Sequence, residues 1–141
     1  MPNRILVLMG CMLVLGMCIG ACTADAEDRG QAGVAASELI SGKPHKLPIP
    51  GVVTMVDIGA HACVPCKMMT PVIEELSKEY DGRAAIAFID VWEYREEAAK
   101  YNIRSIPTQI FYDADGKEQY RHVGFLDKKS IVAKLKELGV R

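Results

Sequence analysis

The chain has 141 residues, of which half are hydrophobic and a quarter are charged. That is enough apolar material for one domain with its own core, and too little length for two domains of ordinary size. The 17 Lys and Arg residues nearly balance the 18 Asp and Glu residues, which gives a formal net charge of −1. Because the two signs are interspersed along the chain, the composition argues against a nucleic-acid-binding surface or a polybasic membrane patch.

The N-terminal segment is apolar and uncharged from Ile5 to Ile19. Its length of about 15 residues is shorter than the roughly 20 that span a bilayer comfortably, so residues 1–21 are predicted to be a secretory signal peptide. The sequence IGAC at residues 19–22 resembles a bacterial lipobox, and we expect Cys22 to carry a lipid anchor. The alternatives are an ordinary cleaved signal with an incidental cysteine, and an uncleaved anchor helix.

Each of these alternatives places the domain outside the cytoplasm, in the periplasm. Disulfides persist there, and a dithiol protein needs either an oxidising partner or a dedicated supply of electrons. After processing at Cys22, the cysteines that remain as free thiols are Cys63 and Cys66. We expect these two to pair with each other.

Residues 22–50 are predicted to connect the lipid anchor to the domain. The first part, to about residue 36, is rich in Ala, Asp, Glu, Gly and Gln without apolar periodicity, as in a flexible tether. A short helix is predicted at Ser37–Ile40. Pro44, Pro48 and Pro50 then favour an extended connection, and the domain itself is predicted to occupy residues 51–141.

The first strand of the domain contains an unexpected acid. Residues 52–58 form a largely apolar, β-branched run that predicts a strand buried on both faces, and Asp57 interrupts it. Burial disfavours ionisation, so the pKa of Asp57 is expected to rise, which suits a proton acceptor and donor near neutrality. The alternative is a strand-end aspartate that faces solvent.

The next element is predicted to be a helix from Val64 to Tyr80, with Cys63 at its mouth and Cys66 one turn further in. At this spacing two sulfurs can close a small disulfide and reopen it. The unpaired N–H groups and partial positive charge of a helix N-terminus stabilise a thiolate at Cys63, the form that attacks a disulfide. Pro65 suits the first turn because it lacks an N–H. The pattern therefore predicts dithiol–disulfide exchange.

The same CxxC spacing also supplies half of many zinc sites, so a metal site using His61, Cys63 and Cys66 is an alternative. It lacks a fourth ligand, because the chain has no second CxxC or paired His motif. We predict no bound metal and no cofactor.

The remaining elements give the order β-α-β-α-β-β-α. They are a buried strand at 84–91, a short helix at 93–101, a strand at 108–112, a hairpin turn at 113–116 leading into a strand that ends near 123, and a helix at 128–138. Pro71 is expected to kink the helix that carries the cysteines.

In three places the sequence resembles the thioredoxin family. They are the run Cys63-Val64-Pro65-Cys66-Lys67 with Asp57 six residues before it, the run from Tyr101 to Thr108 that contains Ile106-Pro107, and the pair Val123-Gly124. The resemblance covers about residues 52–138. It implies an α/β thioredoxin fold, in which a central mixed β-sheet is flanked by helices.

The resemblance also implies roles for individual residues. Pro107 should be cis and lie against the cysteine pair, and the backbone at Ile106 should pair with an extended segment of the substrate. Asp57 should take the proton of Cys66, usually through a water, when Cys66 resolves the mixed disulfide.

Three residues differ from the usual family pattern. Phe88 stands where a lysine is often found near the acid, Ala62 replaces a tryptophan, and Val64 replaces a glycine. Val64 and Pro65, between the cysteines, and His61, two residues before Cys63, are the residues expected to tune the redox potential. His61 could stabilise the Cys63 thiolate when protonated, and the alternative is an exposed loop residue without effect. Because each 30 mV is about 1.4 kcal/mol for this couple, the redox poise cannot be carried over from the family.

The sequence thus predicts a lipid-anchored, periplasmic thiol–disulfide oxidoreductase that reduces protein disulfides. Its expected partners are protein disulfide or dithiol substrates and a membrane electron donor that re-reduces it. We expect a monomer that binds no nucleic acid. The alternatives are a thiol oxidase or isomerase on the same fold, and a copper- or zinc-binding module that uses Cys63, Cys66 and His61.

Overall fold

A computed structural model describes residues 34–141 of the chain. The predicted signal peptide and the predicted lipid anchor at Cys22 lie outside the described residues. Within residues 34–141, no helix is both long enough and apolar enough to span a bilayer.

Four strands and five helices make up the described part of the chain. The strands are β1 (Thr54–Gly59), β2 (Ala85–Asp90), β3 (Thr108–Tyr112) and β4 (Glu118–Val123). The helices are α1 (Ala36–Leu39), α2 (Val64–Lys67), α3 (Thr70–Glu79), α4 (Arg95–Lys100) and α5 (Lys128–Glu137). Each predicted strand is present, with ends that differ by a few residues at most.

The strands form one mixed sheet in the order β2-β1-β3-β4. Strands β1 and β2 run parallel, whereas the β1–β3 and β3–β4 pairs are antiparallel. The predicted mixed central sheet is confirmed. Strand β1 lies inside the sheet, so its backbone is paired with a neighbouring strand on each side.

The predicted helix from Val64 to Tyr80 is two helices, α2 and α3. Pro71 has no N–H to donate to the carbonyl group of Lys67, so the helical hydrogen bonding cannot continue through this point. The predicted kink is therefore a break at Met68 and Met69. Helix α2 is left as a single turn that carries the cysteines, while the longer α3 packs on the sheet.

The core has a layer on each face of the sheet. Helices α3 and α5 cover one face through Ile73, Leu76, Ile131 and Leu135. Side chains alternate along a strand, so Asp57 points to the same face as Met55, which belongs to this layer. The acid is therefore directed towards the helices that follow the cysteine pair.

The segment before β1 packs against the domain instead of standing free. The Asp90 N–H donates to the Gly42 carbonyl at 2.9 Å, and the Ser77 hydroxyl donates to the Ala36 carbonyl at 3.3 Å. Gly42 also forms an isolated bridge with Ile89 of β2. Residues 36–42 thus lie against β2 and α3, while the predicted domain boundary at residue 51 stays a prediction.

Candidate redox site

Cys63 and Cys66 form a disulfide at the start of α2, with their Cα atoms 5.2 Å apart. Cys63 is the N-cap residue, and its Sγ accepts a hydrogen bond from the Cys66 N–H at 3.3 Å. Pro65 lies in the first turn, where a missing N–H breaks no helical hydrogen bond. Both cysteines are buried beside Ala60, whereas Val64 between them is 74% exposed.

The Ile106–Pro107 peptide bond is cis, as the sequence predicts. Ile106 packs against the cluster that contains both cysteines. The Gly124 N–H donates to the Pro107 carbonyl at 2.8 Å, which fixes the start of the following loop beside this bond. The structure thus brings Ile106 to the cysteine pair, with the cis bond to Pro107 directly after it, and the role of both residues in substrate binding stays a prediction.

Asp57 is fully buried on β1, so the solvent-facing alternative is wrong. Its Oδ1 accepts a hydrogen bond from the Gln109 side-chain amide at 2.7 Å, while its Oδ2 has no partner. Burial raises the pKa of Asp57 to about 7, and the Gln109 hydrogen bond opposes this rise. The expected shift towards neutrality is therefore present, with desolvation as its main cause.

Gln109 is a residue of the site that the sequence analysis missed. The strand register places Phe88, Asp57, Gln109 and His122 in one row across the sheet. Gln109 is fully buried, and its Oε1 has no hydrogen-bond partner. The sequence feature that indicates Gln109 as a site residue is its place inside a short apolar strand, since a buried amide needs a polar neighbour.

Asp90 was missed as well, and it holds the loop that precedes Cys63. Its Oδ2 accepts from the His61 backbone N–H at 2.8 Å. Its Oδ1 accepts from the backbone N–H groups of Trp92 at 2.8 Å and Glu93 at 3.1 Å. One carboxylate therefore ties the active-site loop to the turn after β2, where Trp92 is 53% exposed.

The imidazole ring of His61 lies against Phe88 in an edge-to-face contact, with ring centroids 5.0 Å apart. No hydrogen bond among residues 34–141 joins this ring to Cys63 or Cys66. The redox-tuning role predicted for His61 is thus not supported by a hydrogen bond from its ring to either cysteine, and that role stays a prediction.

The described residues contain no group of three or more His, Cys, Asp and Glu side chains placed to hold a metal ion. His61, Cys63 and Cys66 are thus not gathered into a metal site in residues 34–141.

A disulfide held by a three-residue spacing at a helix mouth, packed against Ala60 and Ile106, can exchange with other disulfides without a change of fold. The protein is a thiol–disulfide oxidoreductase. A family model described as thioredoxin matches residues 50–137. The chain belongs to the thioredoxin family.

Curated relatives and solved structures agree with this assignment. Thioredoxin of Staphylococcus epidermidis is 47% identical over 79 residues, which cover 56% of this chain and 75% of that protein. A mutant thioredoxin of Halobacterium salinarum superposes with a TM-score of 0.55 at 35% identity, covering 61% of this chain and 74% of that one. For Fasciola hepatica thioredoxin the TM-score is 0.55 at 33% identity, with 62% and 82% covered.

Proposed function

We propose that this oxidoreductase reduces protein disulfides outside the cytoplasm and is tethered to a membrane through a lipid on Cys22. The cysteine pair at the helix mouth, with Ile106 packed against it, is the observation that carries the reductase chemistry. The uncharged segment and the lipobox-like IGAC before residue 23 support the location.

The reaction begins when the Cys63 thiolate attacks one sulfur of a substrate disulfide. A mixed disulfide forms between Cys63 and the substrate, and the other substrate sulfur leaves as a thiolate. Asp57 accepts the proton of Cys66, usually through a water, and Cys66 then attacks the Cys63 sulfur. This attack forms the Cys63–Cys66 disulfide and releases the second substrate sulfur. Two electrons have passed from the dithiol to the substrate, and a membrane electron donor must return them.

The reduction potential of the Cys63–Cys66 couple tests the direction of the reaction. A value near the thioredoxin figure of about −270 mV, measured by equilibrating the reduced and oxidised protein with glutathione or dithiothreitol, would support the proposed reductase. A value near about −120 mV would instead make the protein a thiol oxidase. Zinc and copper are quantified on the same sample, and tight stoichiometric metal without measurable exchange would favour a metal carrier.

The lipid anchor is tested by replacing Cys22 in the full chain. When the protein is produced in a bacterial host with labelled palmitate, the unaltered chain should carry label and sediment with membranes, whereas Cys22→Ser should do neither. Cys18→Ser is the matched control, because it removes a leader cysteine outside the lipobox and should leave labelling intact. Label retained by Cys22→Ser would contradict the anchor and leave the redox chemistry untouched.

A further inference from the structure

A cavity leads from Asp57 towards the protein surface. It has a volume of about 90 Å³ and is lined by Ile40, Asp57, His61, Thr70, Ile73, Glu74 and Phe88. The inner end is buried, at Asp57 and Phe88, whereas His61, Thr70 and Glu74 are exposed. One water needs about 10–15 Å³ of such space, so the cavity can hold several waters.

One buried polar atom of the residues that line this cavity lacks a protein partner. The Asp57 Oδ2 is completely buried and accepts no hydrogen bond, and Gln109, on the neighbouring strand, satisfies only the Oδ1. A buried carboxyl oxygen of this kind is costly to desolvate, and Asp57 lines a cavity that is large enough to hold water. The charged or titratable side chains lining the cavity besides Asp57 are His61 from the active-site loop and Glu74 from α3.

The residues around the His61 ring leave space for it at this position. Gly42 has φ +88°, and a Cβ atom built on it would lie 2.8 Å from the His61 Nε2. Phe88 contacts the ring edge-to-face, with ring centroids 5.0 Å apart. Gly42 and Phe88 thus leave space for the imidazole ring at the mouth of the cavity. The backbone N–H of His61 donates a hydrogen bond to Asp90.

We propose that this cavity is the proton path of Asp57, and that His61 passes protons between Asp57 and solvent. Asp57 must be ionised before it can accept the proton of Cys66. It must then release the proton taken from Cys66 before the next cycle. The proton moves from the Asp57 carboxyl through water to the neutral imidazole, and the imidazolium releases it to solvent. Imidazole suits this step because its ordinary pKa lies near neutrality. The inference rests on the proposed role of Asp57. In it, His61 acts through Asp57 by passing its proton to solvent, and does not stabilise the Cys63 thiolate.

The two steps of exchange can be separated with Ellman's reagent in stopped flow at low buffer concentration. The first thionitrobenzoate is released when Cys63 attacks, and the second when Cys66 resolves the mixed disulfide. His61→Ala should slow the second phase about tenfold below pH 7, which is less than the ~10²-fold typical of losing a general base, because water keeps a slower route. The first phase should not change. His45→Ala is the matched control, since His45 binds the Glu38 carbonyl and does not line the cavity.

Chemical rescue distinguishes proton transfer from support of the fold. Added imidazole should restore the second phase of His61→Ala, where the missing ring leaves room for it. His61→Gln should be slow like His61→Ala and should not respond, because its side chain fills the space without carrying protons near neutrality. A second phase that is normal in His61→Gln, or slow in His61→Ala without rescue, would overturn the relay.

The same experiment separates this inference from the proposed function. If Asp57→Asn slows the second phase while His61→Ala leaves it unchanged, the relay is wrong and the role of Asp57 stands. If Asp57→Asn leaves the second phase unchanged, the roles of both residues fall. A change confined to the first phase of His61→Ala would show that His61 acts on the Cys63 thiolate, which also overturns the relay.

Discussion

The Cys66→Ser variant is expected to hold its substrate proteins as covalent mixed disulfides. Cys63 keeps its place at the mouth of α2 and can still attack a substrate disulfide. Serine cannot displace the substrate from the Cys63 sulfur, so turnover should fall to the uncatalysed rate while the intermediate accumulates. The trapped species should appear as high-mass bands on non-reducing gels of cell extracts and disappear on treatment with dithiothreitol.

The matched control for this trap is Cys63→Ser, which removes the attacking sulfur and keeps Cys66. Cys66 lies within α2 and lacks the N-cap position that stabilises a thiolate, so Cys63→Ser should neither turn over nor trap. Equal trapping by the two variants would mean that the order of attack is wrong. An absence of trapped proteins with Cys66→Ser in cells would count against exchange with protein disulfides as the function.

Asp57→Asn should change activity and stability in opposite directions. Removing the base is expected to slow resolution of the mixed disulfide about 10²-fold at pH 8, the lower end for general acid–base catalysis. The unaltered protein should speed up as the pH rises through about 7, where Asp57 ionises, and Asp57→Asn should lose this dependence. Both effects are measured on the second phase of the reaction with Ellman's reagent.

The stability effect of Asp57→Asn follows from the sign of the pKa shift. The pKa of Asp57 is about 7 in the folded protein, against a value of 3.8 without the fold. Because the folded state binds this proton more tightly, its stabilising contribution is complete below about pH 4 and is lost as the pH rises through about 7. At about 1.4 kcal/mol for each pKa unit, the loss above pH 7 is roughly 4 kcal/mol.

Asparagine stays neutral at every pH, so Asp57→Asn should raise the free energy of unfolding above pH 7 and should gain little from ionisation effects near pH 4. Guanidinium unfolding of the oxidised protein at pH 4, 6 and 8 measures this difference. A stability difference that does not vary with pH would mean that Asp57 titrates similarly in the folded and unfolded chain.

The sequence was most informative where one residue type limits the local structure. The apolar run around Asp57 predicts a buried acid without knowledge of the neighbours, and Pro71 marks the point at which the helix cannot continue. The cis bond at Pro107 was expected only because the region resembles a family. The burial of Asp57 and the interruption at Pro71 thus follow from local patterns alone, whereas the cis bond at Pro107 follows from the resemblance.

The missed residues depend on contacts across the sheet. Gln109 reaches Asp57 because β1 and β3 pair in one particular register, and a shift by one residue would turn its side chain to the opposite face. Asp90 meets the His61 N–H because the parallel β1–β2 pair ends at Gly59 and Asp90. Neither the register nor the place of the His61 ring beside Gly42 can be read from residue type and spacing.

The segment ahead of β1 has a consequence for how copies of this protein behave towards one another. Strand β2 is an edge of the sheet, its six residues are all buried, and its one charged residue is the terminal Asp90. An uncovered apolar edge strand is a template on which a second chain can add its own strand, which leads to aggregation. Here Gly42 bridges to Ile89, and Leu39 and Ile49 pack in the core layer to which Ile89 belongs. Residues 39–49 therefore cover part of this edge, near Ile89 and Asp90, and a chain shortened to the start of β1 would lose that protection.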